Sequence, residues 1–88
     1  MTVPTAGTGV VPDEVHVDVD ASGLACPLPV IELARAIADA EPGQVVALTS
    51  TDPASHVDVP VWCRMQRQEL CATSHDGAAW RFWVRRRV

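Results

Sequence analysis

The sequence predicts a two-layer α/β sandwich of order β-α-β-α-β-β, with both helices on one face of a mixed four-stranded sheet. Three observations carry this. Apolar and polar residues alternate strictly from Val15 to Asp20, the mark of a strand with one buried face. Two stretches with apolar residues at helical spacing follow, each opened by proline where a helix tolerates it. The chain closes on two further extended stretches joined by Asp76-Gly77, a hairpin turn. Each helical stripe needs an apolar cover, and one sheet can supply both.

Residues 1–13 carry Pro, Gly and Thr without periodicity and read as a flexible tail, leaving residues 14–88 as the domain. The first strand places Val15, Val17 and Val19 on one side and His16, Asp18 and Asp20 on the other. From Pro27 to about Ala40 the pattern is helical, with Val30, Leu33, Ala34 and Ile37 as its stripe. Glu41-Pro42-Gly43 stops it, and Val45–Ser50 is a short buried strand. Asp52-Pro53 then offers a cap followed by proline, and Asp58 and Pro60 repeat the signal. The expectation is one kinked helix or a turn leading into a second start, with Val57, Val61 and Met65 facing one way. Leu70–His75 and Ala79–Arg86 are the hairpin strands. In the last strand Trp80, Phe82 and Val84 share one face, and Arg81, Trp83 and Arg85 the other. Trp62 and Trp80 read as core. Trp83 is either packed under arginine stems or a docking anchor.

Composition bounds the function. The chain has 88 residues, 48% of them hydrophobic and 20% charged, an ordinary globular balance. No apolar run approaches the roughly 18 residues of a membrane span. Residues 1–13 have neither a basic start nor an apolar core, so no signal peptide is expected and the cytoplasm is the expected compartment. The net charge of -4 is uneven. Acids dominate up to Val59, whereas arginines dominate from Pro60 onward and end in Arg85-Arg86-Arg87. That suggests a dipolar surface whose basic end steers an acidic partner. With no lysine and no stacking aromatic cluster, direct nucleic-acid binding is not expected.

The chemistry concentrates in Gly23-Leu24-Ala25-Cys26-Pro27-Leu28-Pro29. The three cysteines have no C-x-x-C spacing, so neither a disulfide framework nor a metal site is expected. Cys63 and Cys71 read as structural. Cys26 differs. It stands at a helix start, where Pro27 and Pro29 stiffen the first turn without losing intrahelical bonds. The amides of Leu28 and Val30 and the helix dipole should favour a thiolate. Cysteines so placed reach pKa values of about 3.5–7.5, against about 8.5 for a free thiol. Gly23 can take positive φ and let the loop approach closely.

Asp20-x-x-Gly23-Leu24-x-Cys26-Pro27-x-Pro29 resembles the signature of the TusA/SirA-type sulfur carriers. Asp52-Pro53, then Asp58-Val59-Pro60-x-Trp62-Cys63, and finally Phe82-x-Val84-x-Arg86 continue the resemblance, which covers about residues 15–88. It implies strand order 1-2-4-3 and a persulfide carried on Cys26, supported by Asp20, Gly23, Leu24, Pro27, Leu28 and Pro29, with no metal or cofactor. The implied partners are a cysteine desulfurase or rhodanese-like sulfur donor and a downstream acceptor protein. Two positions depart from the pattern: Leu28 stands where some relatives carry a charge, and Arg67-Gln68 replace the usual glycine stop of the second helix. The residues also admit two other readings, a thiol-based redox or regulatory module and an independent thiosulfate:thiol sulfurtransferase. The last would need an anion pocket, for which Arg35 is the nearest arginine in sequence.

Overall fold

In the computed structural model, which describes residues 6–88, the predicted elements form as β2 (Val17–Ala21), α1 (Leu28–Asp39), β3 (Val45–Ser50), α2 (Ser55–Gln66), β4 (Glu69–Asp76) and β5 (Ala79–Arg85). One further strand, β1 (Ala6–Gly9), precedes them. β2 and β3 run parallel, and the β3–β5 and β5–β4 pairs are antiparallel. The four predicted strands therefore lie in order 1-2-4-3, and β1 adds antiparallel to the outer edge of β4.

The segment expected to be a tail thus contributes an edge strand at Ala6–Gly9. Residues 1–5 lie outside the described residues. Gly9 sits at φ +79°, and a Cβ there would fall 2.1 Å from the Cys71 carbonyl oxygen. Glycine is what lets the two backbones close up at the bulged Leu70–Ala72 stretch of β4.

The helix-covered face holds the main core. Leu33 and Ile37 of α1 and Val59 and Cys63 of α2 pack on Ala21, Val46, Leu48, Phe82 and Val84. The buried line of α1 is Pro29, Leu33 and Ile37; Leu33 and Ile37 of the expected stripe are buried, whereas Val30 and Ala34 are half-buried. α2 is a single helix with Pro60 inside it, and its buried line is Ser55, Val59 and Cys63. The expected stripe faces outward instead: Val57, Val61 and Met65 are 61%, 41% and 73% exposed. Val15 precedes β2, and it and Val17 are also exposed.

The opposite face buries Val45, Ala47, Ala72 and Trp83 without a helix. Residues 10–16 must run from the β1 edge to the β2 edge, four strand spacings or about 19 Å, within reach at about 3.3 Å per residue. His16 fastens the far end: its N–H donates to the Val45 carbonyl (2.9 Å) and its Nδ1 accepts the Val45 N–H (3.0 Å). Trp83 is only 8% exposed, with the Arg81 guanidinium 5.3 Å from its ring centroid and Arg81 held by Asp18 at 3.3 Å. Of the two readings for this tryptophan, the packed one holds.

The C-terminal arginines also turn inward. Arg85 donates to the Gly43 carbonyl (2.8 Å) and pairs with Glu69 (3.7 Å), and Arg87 pairs with Glu69 (3.6 Å). Arg86 donates to the Ala38 carbonyl (3.1 Å) and the Ala40 carbonyl at the end of α1. Charge there is committed to intramolecular contacts, which weakens the expected steering role.

Arg67 ends α2 in the left-handed conformation, φ 58° and ψ 38°. The Gln68 N–H bonds back to the Cys63 carbonyl (2.9 Å), and the Arg67 N–H to the Arg64 carbonyl (3.3 Å). This is the hydrogen-bond closure that glycine usually provides. A side chain in this conformation costs about 1–2 kcal/mol, partly offset because glycine frees the unfolded chain. Arg67→Gly is therefore expected to stabilise the fold by about 0.5–1 kcal/mol in urea unfolding. A loss of stability would show that the arginine side chain contributes more than its backbone strain removes.

Candidate functional site

Parallel pairing of β2 and β3 brings their C-terminal ends side by side, so the loop leading into α1 and the loop leading into α2 meet. Asp20 begins the first loop by accepting the Ser22 N–H at 3.0 Å. The Ser22 side-chain hydrogen bond, and then this backbone one, hold the exposed Asp20 carboxyl below the usual carboxylate range. The Leu24 N–H donates to the Ala21 carbonyl (3.1 Å), closing the turn, with Gly23 at φ +82°. The Leu24 side chain packs against the core edge and pins the loop. Pro29 is buried, whereas Pro27 and Leu28 stand in solvent. The Cys26–Pro27 peptide is cis.

The second loop holds the first. Thr51 Oγ1 accepts the Gly23 N–H at 2.8 Å, and Asp52 Oδ2 accepts the Cys26 N–H at 2.8 Å. Asp52 Oδ1 also accepts the Ala54 N–H (2.9 Å), so one carboxylate braces both helix entrances. The Cys26 and Ala54 bonds draw the Asp52 carboxyl below the usual carboxylate range. Its contribution is present above the ordinary carboxylate pKa and is lost as pH falls through the lower folded value.

The sulfur sits over a hydroxyl pair. Cys26 Sγ lies 3.3 Å from Ser55 Oγ, which lies 2.7 Å from Ser50 Oγ. Ser50 Oγ accepts the Asp52 N–H (3.2 Å). Both serines are buried. Because a thiolate can only accept, Ser55 donates to it, and Ser50 then donates to Ser55.

This arrangement corrects the expected low thiol pKa. Desolvation raises the Cys26 pKa above the ordinary thiol value, the Ser55 bond opposes that rise, and Asp58 and Asp52 add to it. The expected helix-end donors do not reach the sulfur. α1 begins at Leu28 with Pro27 as its cap, one residue after the start that a cap at Cys26 would require, and the Leu28 N–H bonds to the Ala25 carbonyl at 2.9 Å. Negative charge faces the sulfur where positive charge was expected.

The other thiols differ in kind. Cys63 is buried in the core with its pKa pushed up to about 12 by desolvation. Cys71 lies half-buried with the core cluster on the other sheet face.

A family model described as sulfurtransferase TusA matches residues 17–86. The chain belongs to the TusA family. That span runs from the start of β2 to the residue after β5, so the match covers both loops and both helices but not β1. Among the expected residues, the structure places Asp20, Gly23 and Leu24 at the end of β2 and in the turn before Cys26, and Pro29 in the first turn of α1. Pro27 and Leu28 form the exposed rim of Cys26. In the sequence Asp52 reads as a helix cap and, with Asp58, as part of the family resemblance, and neither these two nor Ser50 and Ser55 carry an expected site role. Asp52-Pro53 and Asp58-x-Pro60 are the local signals for this half of the site.

Proposed function

We propose that Cys26 carries sulfane sulfur as a persulfide. It takes the sulfur from a cysteine desulfurase or rhodanese-like donor and relays it to an acceptor protein in the cytoplasm. The observation that supports this most is the placement of Cys26. Its sulfur is the half-exposed thiol at the meeting of two helix starts, anchored through its own N–H by Asp52 and through Sγ by Ser55. The Cys26 thiolate attacks the outer sulfur of the donor persulfide, forming one S–S bond and releasing the donor thiolate. An acceptor thiolate then attacks the terminal sulfur and releases Cys26 thiolate. Each step exchanges one S–S bond for another, so no external oxidant is consumed.

An independent thiosulfate sulfurtransferase fits less well. Arg35 is engaged by Glu32 at 3.3 Å, and the carboxylates of Asp52 and Asp58 act on the sulfur, a poor setting for a small anion. A redox module would pair Cys26 with a second thiol, and Cys63 is buried in the core.

Incubated with a cysteine desulfurase and cysteine, the protein is expected to gain the mass of one sulfur atom. A reductant should remove that mass, and Cys26→Ser should abolish the gain. Cys63→Ser and Cys71→Ser are expected to load normally. A loss of two hydrogens instead, or loading that survives Cys26→Ser, would sink the carrier reading.

A further inference from the structure

α2 presents Asp58, Val61, Trp62 and Met65 at i, i+3, i+4 and i+7, a regular helical stripe that lies beside the helix's buried line. Facing Pro27 and Val30 of α1, this stripe lines a groove of about 340 Å³. The groove begins at the residue that follows Cys26 in the chain. Its far end is rimmed by Met65, 73% exposed, and its lining is apolar except for Asp58 among the described residues. Apolar exposure on both helices is unusual for a surface that only needs solvation, because Leu28 and Ile31 of α1 stand out as well, at 46% and 40%. Charge near the groove is one-sided at the sulfur: Asp58 and Asp52 both act on Cys26, while Arg35 is held by Glu32.

We propose that this groove docks the cysteine-bearing segment of a partner protein, one that places an apolar side chain between α1 and α2 and a basic side chain against Asp58. The proposal rests on the reading of Cys26 as a sulfur carrier and adds the chemistry of its partners. Two observations select a basic, apolar segment over other occupants. The groove is lined by Pro27, the residue after Cys26, and by Asp58, whose carboxylate acts on the sulfur, so its occupant lies beside Cys26. The carboxylate in its wall is left to be neutralised by the incoming segment, and a cation there also removes the negative charge that opposes a thiolate at Cys26. Docking and activation are then one event. The free carrier keeps a reluctant thiol, and the correct partner relieves it, which restricts sulfur exchange to cognate proteins without any conformational change.

Thiopyridyl disulfides test this directly, since Cys26 attack forms a Cys26–peptide disulfide and releases thiopyridone. The probes are the peptide Leu-Gly-Arg-Gly-Cys-Gly-Arg-Gly-Leu, its Arg-to-Glu counterpart and its Leu-to-Ser counterpart, each activated at cysteine. All rates are taken relative to methyl thiopyridyl disulfide, which cancels intrinsic thiol reactivity. The Arg peptide is expected to react about three- to fivefold faster than the Glu peptide, the equivalent of a partly exposed ion pair. The Leu peptide should exceed the Ser peptide by about tenfold, as partial burial of leucine implies. Asp58→Asn should remove the first preference and Met65→Ser reduce the second. Equal relative rates for all three peptides, or a preference for Glu, would overturn the proposal. If the preferences hold but no persulfide forms on Cys26, docking stands and the carrier role falls. If a persulfide forms but the preferences are absent, the reverse applies.

Discussion

Asp58→Asn is expected to raise the rate of Cys26 alkylation by iodoacetamide at neutral pH several-fold, while Cys26 in the unaltered protein alkylates slowly. The sign follows from the charges. A thiolate is the reacting form, and desolvation first, then Asp58 and Asp52, disfavour it. The Cys26 pKa is therefore above the ordinary thiol value, and the alkylation rate should keep climbing as pH rises past neutrality, levelling only above that value. Asparagine keeps the size of the side chain and removes the charge, so the rate at neutral pH rises and the profile shifts to lower pH. Ser55→Ala should act in the opposite direction, because it removes the hydroxyl 3.3 Å from Sγ that can donate to the thiolate. Rate-versus-pH profiles of the three proteins separate these effects. A Cys26 profile that levels off near or below neutrality in the unaltered protein would show that the carboxylates do not control the sulfur.

The reversal at Cys26 shows which part of the site a linear sequence exposes. Pro27 and Pro29 follow the cysteine in the chain, and the local rules for proline at a helix start place the residue at the mouth of α1 to within one position. The alternation in β2 and β5 and the Asp76-Gly77 turn likewise mark strands through local spacing. Register then follows from covering one face. The groups that set the chemistry of Cys26 come from residues 50–58, and they reach the sulfur only because β3 pairs parallel to β2. Ser50 and Ser55 carry no periodic signal of their own. Their role exists once a thiol lies above them. α2 misled for a different reason. Val57, Val61 and Met65 have helical spacing, yet Val59 and Cys63 are the residues turned to the sheet, leaving two apolar lines on one helix. Spacing alone cannot say which line is covered. β1 was illegible because Ala-Gly-Thr-Gly has no alternation, and its strand character comes from the bonded edge of β4.

Arg86→Ala is expected to lower stability by about 2 kcal/mol, within the range for hydrogen bonds made by a charged group, which for a domain of this size is about 10 °C in Tm. The helix it serves has no basic residue in its last turn. Its final carbonyls would otherwise meet only water and the negative end of the dipole would lack a counter-charge. Arg86 supplies both from across the fold, donating to the Ala38 and Ala40 carbonyls, while its Nε donates to the Val88 carbonyl at 3.2 Å. The backbone of Arg86 is fixed independently, since its N–H donates to the Gln44 carbonyl (2.9 Å) and its carbonyl accepts the Gly43 N–H (2.7 Å). Alanine should therefore leave the chain path intact and isolate the side chain. Lysine keeps the charge but offers a single ammonium in place of a planar fork, so Arg86→Lys is expected to recover about half of the loss. Arg87→Ala serves as the contrast. Its pair with Glu69 is exposed on both sides, and such pairs contribute about 0.2–1 kcal/mol. Urea unfolding of the three variants orders them as Arg86→Ala, Arg86→Lys, Arg87→Ala from least to most stable. If Arg86→Ala unfolds like the unaltered protein but slows persulfide transfer to a partner at low salt, the arginine is a docking charge and the closing strand regains the steering role its composition suggested.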